Sequence, residues 1–305
     1  MTYILYNPLA GIGHRPEEIE ALAAGYEQAS LTDMTQISDY AAFFETVGEE
    51  DTVILCGGDG TLSRFVNDTR GLRLPKRLGY YPNGSGNDFA RDLGVTETGK
   101  VIDLSEETFR GLPTVAVNSK ELLFINGIGY GIDGYCCEKG DELREKNATL
   151  ADPKPINYTS IAVKGLLFDY RPRNVTVTVD GKVHTFKNVW LAPVMHGRYY
   201  GGGMMPTPAQ DRFSEPRKLS VMVFHDIGKF RTLMIFPSLF EGKHIAHDKV
   251  VTILEGQTIT VAYDRPAPMQ IDGETVKDVA SFTATAANTG DGTVEKTKER
   301  DVLGV

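Results

Sequence analysis

The sequence predicts a two-part α/β protein, with a parallel sheet in its first half and a largely antiparallel β-domain with inserted helices in its second half. Two observations lead to this expectation. Strand, loop and helix patterns alternate up to about residue 113, and such alternation is typical of a parallel sheet covered by helices. After that point hairpin signals dominate. The length of 305 residues allows two domains with separate cores.

In the first half, short apolar runs predict strands at 3–6, 31–35, 53–56 and 78–81. Amphipathic stretches between them predict helices at 16–27, around 41–47, 62–67 and 89–93. Three polar or glycine-rich loops follow strands, at 7–13, 57–61 and 82–88. Because the carboxyl ends of parallel strands meet at one edge of a sheet, these loops are expected to form a ligand site together.

In the second half, a hairpin is expected at 114–125, and another joins 174–179 to 183–186 through Asp180-Gly181, a type I′ turn signal. Further strands are expected at 189–194, 219–224, 250–254, 258–263 and 280–286, with helices near 133–147, 157–170 and 230–241. This pattern favours a β-sandwich or half-open barrel. The expected domains are 1–118 and 119–288, followed by a polar tail at 289–305.

Composition excludes several classes of protein. The net charge of −9 and the pI near 5.3 argue against a nucleic-acid binder. Three cysteines without a CxxC pair favour a reducing cytoplasm. No apolar run approaches the ~20 residues of a membrane span. Contact with a membrane is therefore expected from the aqueous side.

The central motif is a buried apolar run that leads into Gly57-Gly58-Asp59-Gly60-Thr61. Glycines permit positive φ and close approach of the backbone to a ligand. The amides of a following helix N-terminus attract phosphate. The alternative is a strand-to-helix turn whose glycines serve packing alone.

A second motif, Asp272-Gly273-Glu274, supplies two acids near the end of the chain. Asp272 could accept a proton from an attacking hydroxyl, and Glu274 could hold a metal ion or its waters. The alternative is a plain hairpin turn, because Asp-Gly is common in such turns.

Four motifs together resemble the diacylglycerol kinase catalytic-domain family, which includes bacterial soluble lipid kinases and the sphingosine and ceramide kinases. They are Gly57–Thr61, Gly84-Ser85-Gly86-Asn87-Asp88-Phe89-Ala90-Arg91, Gly201-Gly202-Gly203-Met204 and Asp272-Gly273-Glu274. The resemblance begins at Asn7 and covers nearly the whole chain. It implies an NAD kinase-like first domain and a second domain that binds the lipid and carries the general base.

The resemblance also implies roles for particular residues. Asp272 would be the general base, and Asp59 and Asp88 would be candidates to hold Mg²⁺ or its waters, beside Glu274. Ser85 stands where the family usually has Thr, and the hydroxyl is kept. The implied ATP-binding residues are Asn7, Pro8, Leu9, Ala10, Gly11, Thr35, Gly57, Gly58, Asp59, Gly60, Thr61, Leu62, Ser63, Arg64, Ser85, Asn87 and Asp88.

One segment, 205–219, departs from the family pattern. Members commonly have an Asp-Gly after Gly-Gly-Gly-Met, and this region is associated with a structural Mg²⁺ in some of them. Here there is no Asp-Gly, and the segment contains apparently extra residues. Asp211 and Glu215 are the candidate substitute ligands for that metal.

The sequence therefore predicts an ATP- and Mg²⁺-dependent lipid kinase, with diacylglycerol as the first acceptor to consider. The protein is expected in the cytoplasm and transiently at the inner membrane surface, without nucleic acid or a transmembrane segment; a homodimer is left open. Segments 120–136, 157–170 and 195–206 are expected to line the acceptor cleft.

Two alternatives are an NAD kinase-like enzyme and a catalytically silent nucleotide-binding regulatory protein. The Asn-Asp-Phe-Ala-Arg loop counts against the first. The altered 205–219 segment favours the second, and the retained Asp272 counts against it.

Overall fold

A computed structural model of the chain describes residues 1–8, 16–97, 99–104, 108–109, 111–147 and 156–287. The described residues divide between Leu112 and Pro113 into two compact units. We expected the division after residue 118. It falls earlier because the whole hairpin at 114–123 pairs with the sheet of the second unit. The expected tail at 289–305 lies outside the described residues.

The first unit contains one five-stranded sheet in the order β2-β1-β3-β4-β5. The first four strands are parallel, and β5 is an antiparallel edge that the sequence analysis did not predict. Its strands are β1 (Thr2–Tyr6), β2 (Ala29–Asp33), β3 (Thr52–Gly57), β4 (Arg77–Pro82) and β5 (Ile102–Asp103). The helices are α1 (Pro16–Ala24), α2 (Tyr40–Glu45), α3 (Asp59–Asp68) and α4 (Asp88–Asp92).

The central strand β3 carries the core of this unit. Its residues 53–56 are at most 2% exposed, as expected for a parallel strand that is covered on both faces. Ile54 and its neighbour Ile4 pack with Ile19 and Leu22 of α1. The continuous apolar run that predicted this strand therefore reflects burial on both sides.

The register of the parallel strands brings their carboxyl ends together. Tyr6 is paired with Cys56, and Gly57 is paired with Pro82. The loops that follow β1, β3 and β4 therefore leave the same edge of the sheet, as predicted. Residues 9–13 of the first loop lie outside the described residues.

The second unit contains one ten-stranded sheet in which every pairing is antiparallel. The strand order is β13-β12-β11-β8-β14-β15-β6-β7, and β9 pairs with β14 and β10. The expected fold class, a parallel α/β unit followed by a mainly antiparallel one, is confirmed. The strands are β6 (Thr114–Val117), β7 (Lys120–Leu123), β8 (Gly127–Tyr130), β9 (Arg173–Val179), β10 (Lys182–Val189), β11 (Val194–Met195), β12 (Leu219–Phe224), β13 (Val251–Gly256), β14 (Thr258–Ile271) and β15 (Glu274–Thr285).

The helices of the second unit follow β8, precede β9 and join β12 to β13. They are α5 (Ile132–Asn147), α6 (Tyr158–Lys164) with a π-helical turn at Gly165–Asp169, and α7 (Lys229–Ile235) with 3₁₀ turns at Phe236–Glu241 and Lys243–Ala246. Among the residues that the structure describes, no helix combines the length and apolar composition needed to cross a membrane.

The longest strand, β14, organises the second unit. It was expected to end near residue 263 but continues to Ile271, with irregular register between Ala262 and Met269. Its Tyr263 ring stacks on Tyr130 with ring centres 3.8 Å apart, and the Tyr263 hydroxyl donates to the Tyr130 carbonyl. The extension matters because β14 leads directly into Asp272.

Candidate functional site

The first glycine loop connects β3 to α3. Gly58 has φ −91° and ψ −172°, an extended conformation that does not itself require glycine. The glycines serve close packing instead. A Cβ atom on Gly57 would lie 2.5 Å from the Cβ of Thr61, which is well inside van der Waals contact.

The first and second glycine loops meet backbone to backbone. A Cβ atom on Gly84 would lie 2.3 Å from the Cα of Gly58, and one on Gly58 would lie 3.0 Å from the Cα of Gly84. Two of the predicted phosphate loops are therefore packed together, and glycine is required on both sides of the contact.

Asp59 joins the same two loops through its side chain. Its Oδ2 accepts a hydrogen bond from the Asp88 amide at 2.9 Å, and its Oδ1 accepts one from the Phe89 amide at 2.8 Å. Asp59 thus caps the N-terminus of α4. Asp59 was also expected to hold a metal ion, and that role stays a prediction.

Asn87 shapes the second loop from within. It has φ +50°, and its side-chain amide exchanges hydrogen bonds with the Gly84 amide and carbonyl, both at 2.9 Å. Ser85 lies between them and is exposed.

The N-terminus of α3 has no capping side chain, because Gly58 occupies the cap position. Its first amides are therefore donors of the kind that bind phosphate. Asn83 directly follows the last residue of β4. It is only 7% exposed, and its backbone amide donates to the Gly57 carbonyl at 2.9 Å. Its side-chain Nδ2 has no hydrogen-bond partner among the described residues.

Asn83 was not singled out from the sequence. The only available signal was a polar residue that directly follows a buried strand and precedes a glycine. Its unpaired amide is a second donor at the edge where the loops leave the sheet, and a buried unpaired donor is costly without a partner.

Thr35 lies beyond the end of β2, in a 3₁₀ turn at Met34–Gln36, and not in the strand where it was expected. Its amide and hydroxyl both donate to Asp33, at 2.8 and 2.7 Å. The Thr35 hydroxyl is the main cause that holds the pKa of Asp33 below its usual value. Asp33 was missed, although an Asp two residues before a Thr is a turn signal.

The other predicted ATP-binding residues take different positions. Asn7 and Pro8 follow β1, whereas Leu9, Ala10 and Gly11 lie outside the described residues. Within α3, Leu62 and Ser63 are buried, and Arg64 pairs with Asp68 at 3.4 Å on the exposed side.

In the second unit, Asp272 and Gly273 form the two-residue turn between β14 and β15, with φ of +49° and +96°. The hairpin-turn alternative is therefore correct for the backbone. The side chain, however, is 9% exposed and accepts amide hydrogen bonds from Ile125, Asn126 and Gly127 at 2.7, 2.9 and 3.1 Å. The turn presents an oriented, buried carboxylate.

A second Asp-Gly turn in the same unit provides a comparison. Asp180 has φ +47° and accepts hydrogen bonds from the amides of Gln257 and Thr258. Asp180 is exposed, whereas Asp272 is buried. Turn geometry is therefore common to both, and burial distinguishes Asp272.

The segment that departs from the family pattern supports the loop that holds Asp272. Arg212 is 4% exposed and donates to the Ile125 carbonyl and the Asn126 Oδ1, both at 3.2 Å. Burial, together with Arg212 and Arg217, moves the pKa of His196 well below its usual value, so His196 is neutral here.

The predicted metal ligands of this unit are not gathered together. Asp211 is exposed and accepts the Phe213 amide at 2.9 Å, and Glu215 pairs with Arg217 at 3.5 Å. Glu274 is exposed at the start of β15. Within the described ranges, no three His, Cys, Asp or Glu side chains lie close enough to hold a metal ion.

Asp133 is an acid that the sequence analysis missed, at the start of α5. Its carboxylate accepts hydrogen bonds from the Gly134 amide at 3.0 Å and the Tyr200 hydroxyl at 3.3 Å, and burial raises its pKa to about 7. Asp133 and Tyr200 come from two of the segments expected to line the acceptor cleft.

The same acid lies close to the Asp272 turn. A Cβ atom on Gly129 would meet the Asp133 Oδ2 and the Gln270 Nε2, and Gln270 Oε1 accepts the Gly273 amide at 2.6 Å. Asp133 and Gln270 thus both lie beside Gly129, and Gln270 also contacts the Asp272 turn.

Comparison with known families agrees with this geometry. Residues 1–115 match the diacylglycerol kinase catalytic domain, and residues 126–287 match the YegS C-terminal NAD kinase beta sandwich-like domain. The chain belongs to the diacylglycerol kinase catalytic-domain family. Its resemblance to that family is thereby confirmed.

Individual members of the family are distant in sequence. A diacylglycerol kinase of Mycobacterium tuberculosis is 27% identical over 208 residues, which are 66% of this chain and 64% of the relative. A diacylglycerol kinase of Bacillus subtilis is 24% identical over 281 residues, 89% of this chain and 88% of the relative. A structure of a diacylglycerol kinase from Bacillus anthracis has a TM-score of 0.54 and 17% identity and covers 94% of both chains, which shows the shared fold.

The substitution Gly84→Ala tests the contact between the two glycine loops. The added methyl group must push the Gly58 backbone away, so we expect a loss of roughly 1–3 kcal/mol in the free energy of unfolding. ATP affinity should fall by at least about tenfold, because displaced loops misplace their donors. Thermal unfolding and ATP titration measure the two effects.

The control is Gly228→Ala, since nothing lies within 4 Å of a Cβ atom at Gly228. Unchanged stability and ATP affinity in Gly84→Ala would contradict the close contact.

The substitution Asp133→Asn tests the raised pKa. Folded Asp133 keeps its proton up to about pH 7, whereas the unfolded carboxyl has its ordinary, lower pKa. Wild-type stability therefore falls as pH rises from about 4 through about 7. The variant should not show this loss of stability with rising pH. The difference in melting temperature, variant minus wild type, should therefore be most positive at pH 8 and least positive at pH 4. An equal difference at both pH values would refute the shift.

Proposed function

We propose that this family member is an ATP-dependent lipid kinase that transfers the γ-phosphate to a lipid hydroxyl, with diacylglycerol as the first acceptor. The observation that carries the proposal is the buried Asp272 carboxylate, held by three amides within the family's Asp-Gly-Glu motif. Membership in a family whose named relatives are diacylglycerol kinases supports the kinase activity.

The first unit would bind the nucleotide. The uncapped N-terminus of α3 offers backbone amides to phosphate oxygens, and the buried Nδ2 of Asn83 adds a side-chain donor. Asp59 holds the second loop against the first, so these donors are fixed before the nucleotide arrives. Preorganised donors of this kind stabilise phosphoryl transfer. ATP would supply the transferred group.

The second unit would supply the proton acceptor. Asp272 would take the proton from the acceptor hydroxyl, and the amides of residues 125–127 would keep the carboxylate oriented for that step. Arg212 holds the same loop from its other side. The proposed base is therefore a side chain whose position is set by the surrounding backbone.

Magnesium would neutralise the charge of the phosphates. Asp59 of the first unit and Glu274 of the second are proposed as carboxylate ligands, each considered by itself, and one carboxylate suffices because Mg²⁺ keeps several waters. Asp211 and Glu215 fit less well, because each interacts within its own exposed segment.

We consider a silent regulatory protein the weaker alternative. Its basis was the altered 205–219 segment, and that segment provides Arg212, which supports the loop that holds Asp272.

We further propose that the protein acts in the cytoplasm and meets its lipid substrate at the inner membrane surface.

The substitution Asp272→Asn tests the proposed base. We expect phosphate transfer to fall by roughly 10²- to 10⁴-fold while ATP still binds. The free energy of unfolding should also fall by about 1–3 kcal/mol, because one amide donor would face the new NH₂ group. Turnover of ATP is measured with diacylglycerol, a sphingoid base, undecaprenol and NAD.

The matched control is Asp180→Asn, which changes the other Asp-Gly turn and should leave turnover intact. Turnover with NAD alone, or an Asp272→Asn variant as active as wild type, would refute the assignment.

The substitution Asn83→Ala tests the nucleotide side. The backbone hydrogen bond to Gly57 is kept, and an unpaired buried donor is removed, so stability without nucleotide should be unchanged or higher. The KM for ATP should rise by roughly tenfold or more, because a hydrogen bond to a charged phosphate is lost. Steady-state kinetics and thermal unfolding measure the two effects, and an unchanged KM would exclude Asn83 from the site.

A further inference from the structure

A surface of the second unit exposes several large apolar side chains on adjoining elements. Phe168 is 69% exposed, Phe230 is 70% exposed and Met234 is 74% exposed, and Phe240 and Ile245 are each 50% exposed. We call these five residues the α7 face. Exposed aromatic and aliphatic side chains that are grouped in this way mark interaction sites.

The elements of the α7 face are joined directly. The Lys229 ammonium at the start of α7 donates to the Leu167 carbonyl at 3.0 Å, which connects α7 to the π-helical turn that carries Phe168. Phe230 and Met234 are four residues apart, so they share one face of α7. The 3₁₀ turns with Phe240 and Ile245 follow in the same segment.

The opposite side of these elements is fixed in the core. Thr232, Ile235 and Leu239 are buried, and Ile235 and Leu239 belong to a cluster with Leu166 and Phe224. His244 is 1% exposed and its Nε2 lies 2.8 Å from the Pro206 carbonyl oxygen. The buried side chains of these elements therefore fix them to the core, and the five residues of the α7 face remain exposed on the other side.

The charge around the α7 face differs from that of the whole chain. Segments 157–171 and 229–249 contain six Lys or Arg and three Asp or Glu, whereas the chain has a net charge of −9. Five of those basic side chains are exposed, namely Lys164, Arg171, Arg231, Lys243 and Lys249. Apolar side chains next to basic ones are typical of a surface that lies in the interface of an anionic membrane.

We propose that the α7 face docks this protein on the surface of an anionic lipid bilayer. The proposal deepens the proposed function, on which it rests, because a kinase for bilayer lipids must reach the interface. A second copy of the chain is a poorer occupant. A two-fold interface would place the same basic segments against each other, and like charges oppose such contact.

The double substitution Phe230→Ser with Met234→Ser tests the apolar part. Full-length protein is mixed, without ATP, with vesicles of phosphatidylcholine alone or with added phosphatidylglycerol, and the bound fraction is measured by sedimentation. Wild type should bind the anionic vesicles, and the variant should bind roughly tenfold or more weakly, because two apolar side chains no longer insert.

The double substitution Lys164→Gln with Arg231→Gln tests the charge. Each basic group near an anionic surface contributes about fivefold to binding. This variant should therefore lose affinity for anionic vesicles, and the loss should shrink at high salt. Equal wild-type binding to neutral and anionic vesicles would overturn the charge argument.

The matched control is Leu31→Ser with Val183→Ser, two exposed apolar residues that do not belong to the α7 face. It should bind vesicles like wild type. The proposal is overturned if wild type does not bind, if the control loses binding equally, or if Phe230→Ser with Met234→Ser binds normally. It is also overturned if wild type forms a dimer that this variant abolishes while vesicle binding is unchanged.

Activity separates this proposal from the proposed function. With diacylglycerol in detergent micelles, Phe230→Ser with Met234→Ser should turn over like wild type. Loss of turnover there would show a structural defect and overturn the docking role. If wild type binds vesicles through the α7 face but phosphorylates no lipid, the docking surface stands and the lipid-kinase assignment fails.

Discussion

The Asp272 carboxylate depends on three backbone amides, and the rest of the second unit is arranged around that contact. Strand β14 continues to residue 271 to deliver the turn, and Arg212 fixes the loop that donates the amides. A buried carboxylate without such donors would be unfavourable, because burial removes it from water. The three amides offset the cost of burying the Asp272 carboxylate, and they also set the orientation of that carboxylate.

The first unit also contains a carboxylate that accepts hydrogen bonds from backbone amides. Asp59 accepts two amides and ties the second glycine loop to the first, where Gly58 and Gly84 meet without side chains. The donors at the start of α3 are consequently fixed by a contact between loops. In the first unit an Asp carboxylate positions a loop expected to meet phosphate. In the second unit backbone amides position the carboxylate expected to meet the acceptor hydroxyl.

Much of this could be predicted from the sequence because it is encoded locally. Buried apolar runs predicted β3 and β4, and Asp180-Gly181 predicted its hairpin. Strand β5 was missed because two residues carry no periodicity. Asp133 and Arg212 were missed because their importance comes from partners far along the chain, Tyr200 and residues 125–126. The neighbour that requires glycine at residue 58 could not be predicted, because Gly84 belongs to a different loop.

The lipid-kinase assignment is tested most directly by identifying the phosphorylated product. Protein, ATP and Mg²⁺ are incubated with a membrane lipid extract and NAD together, and the products are analysed by mass spectrometry. The expected result is a lipid whose hydroxyl has become a phosphomonoester, with NAD unchanged. Phosphorylated NAD, or no phosphorylated lipid, would contradict it.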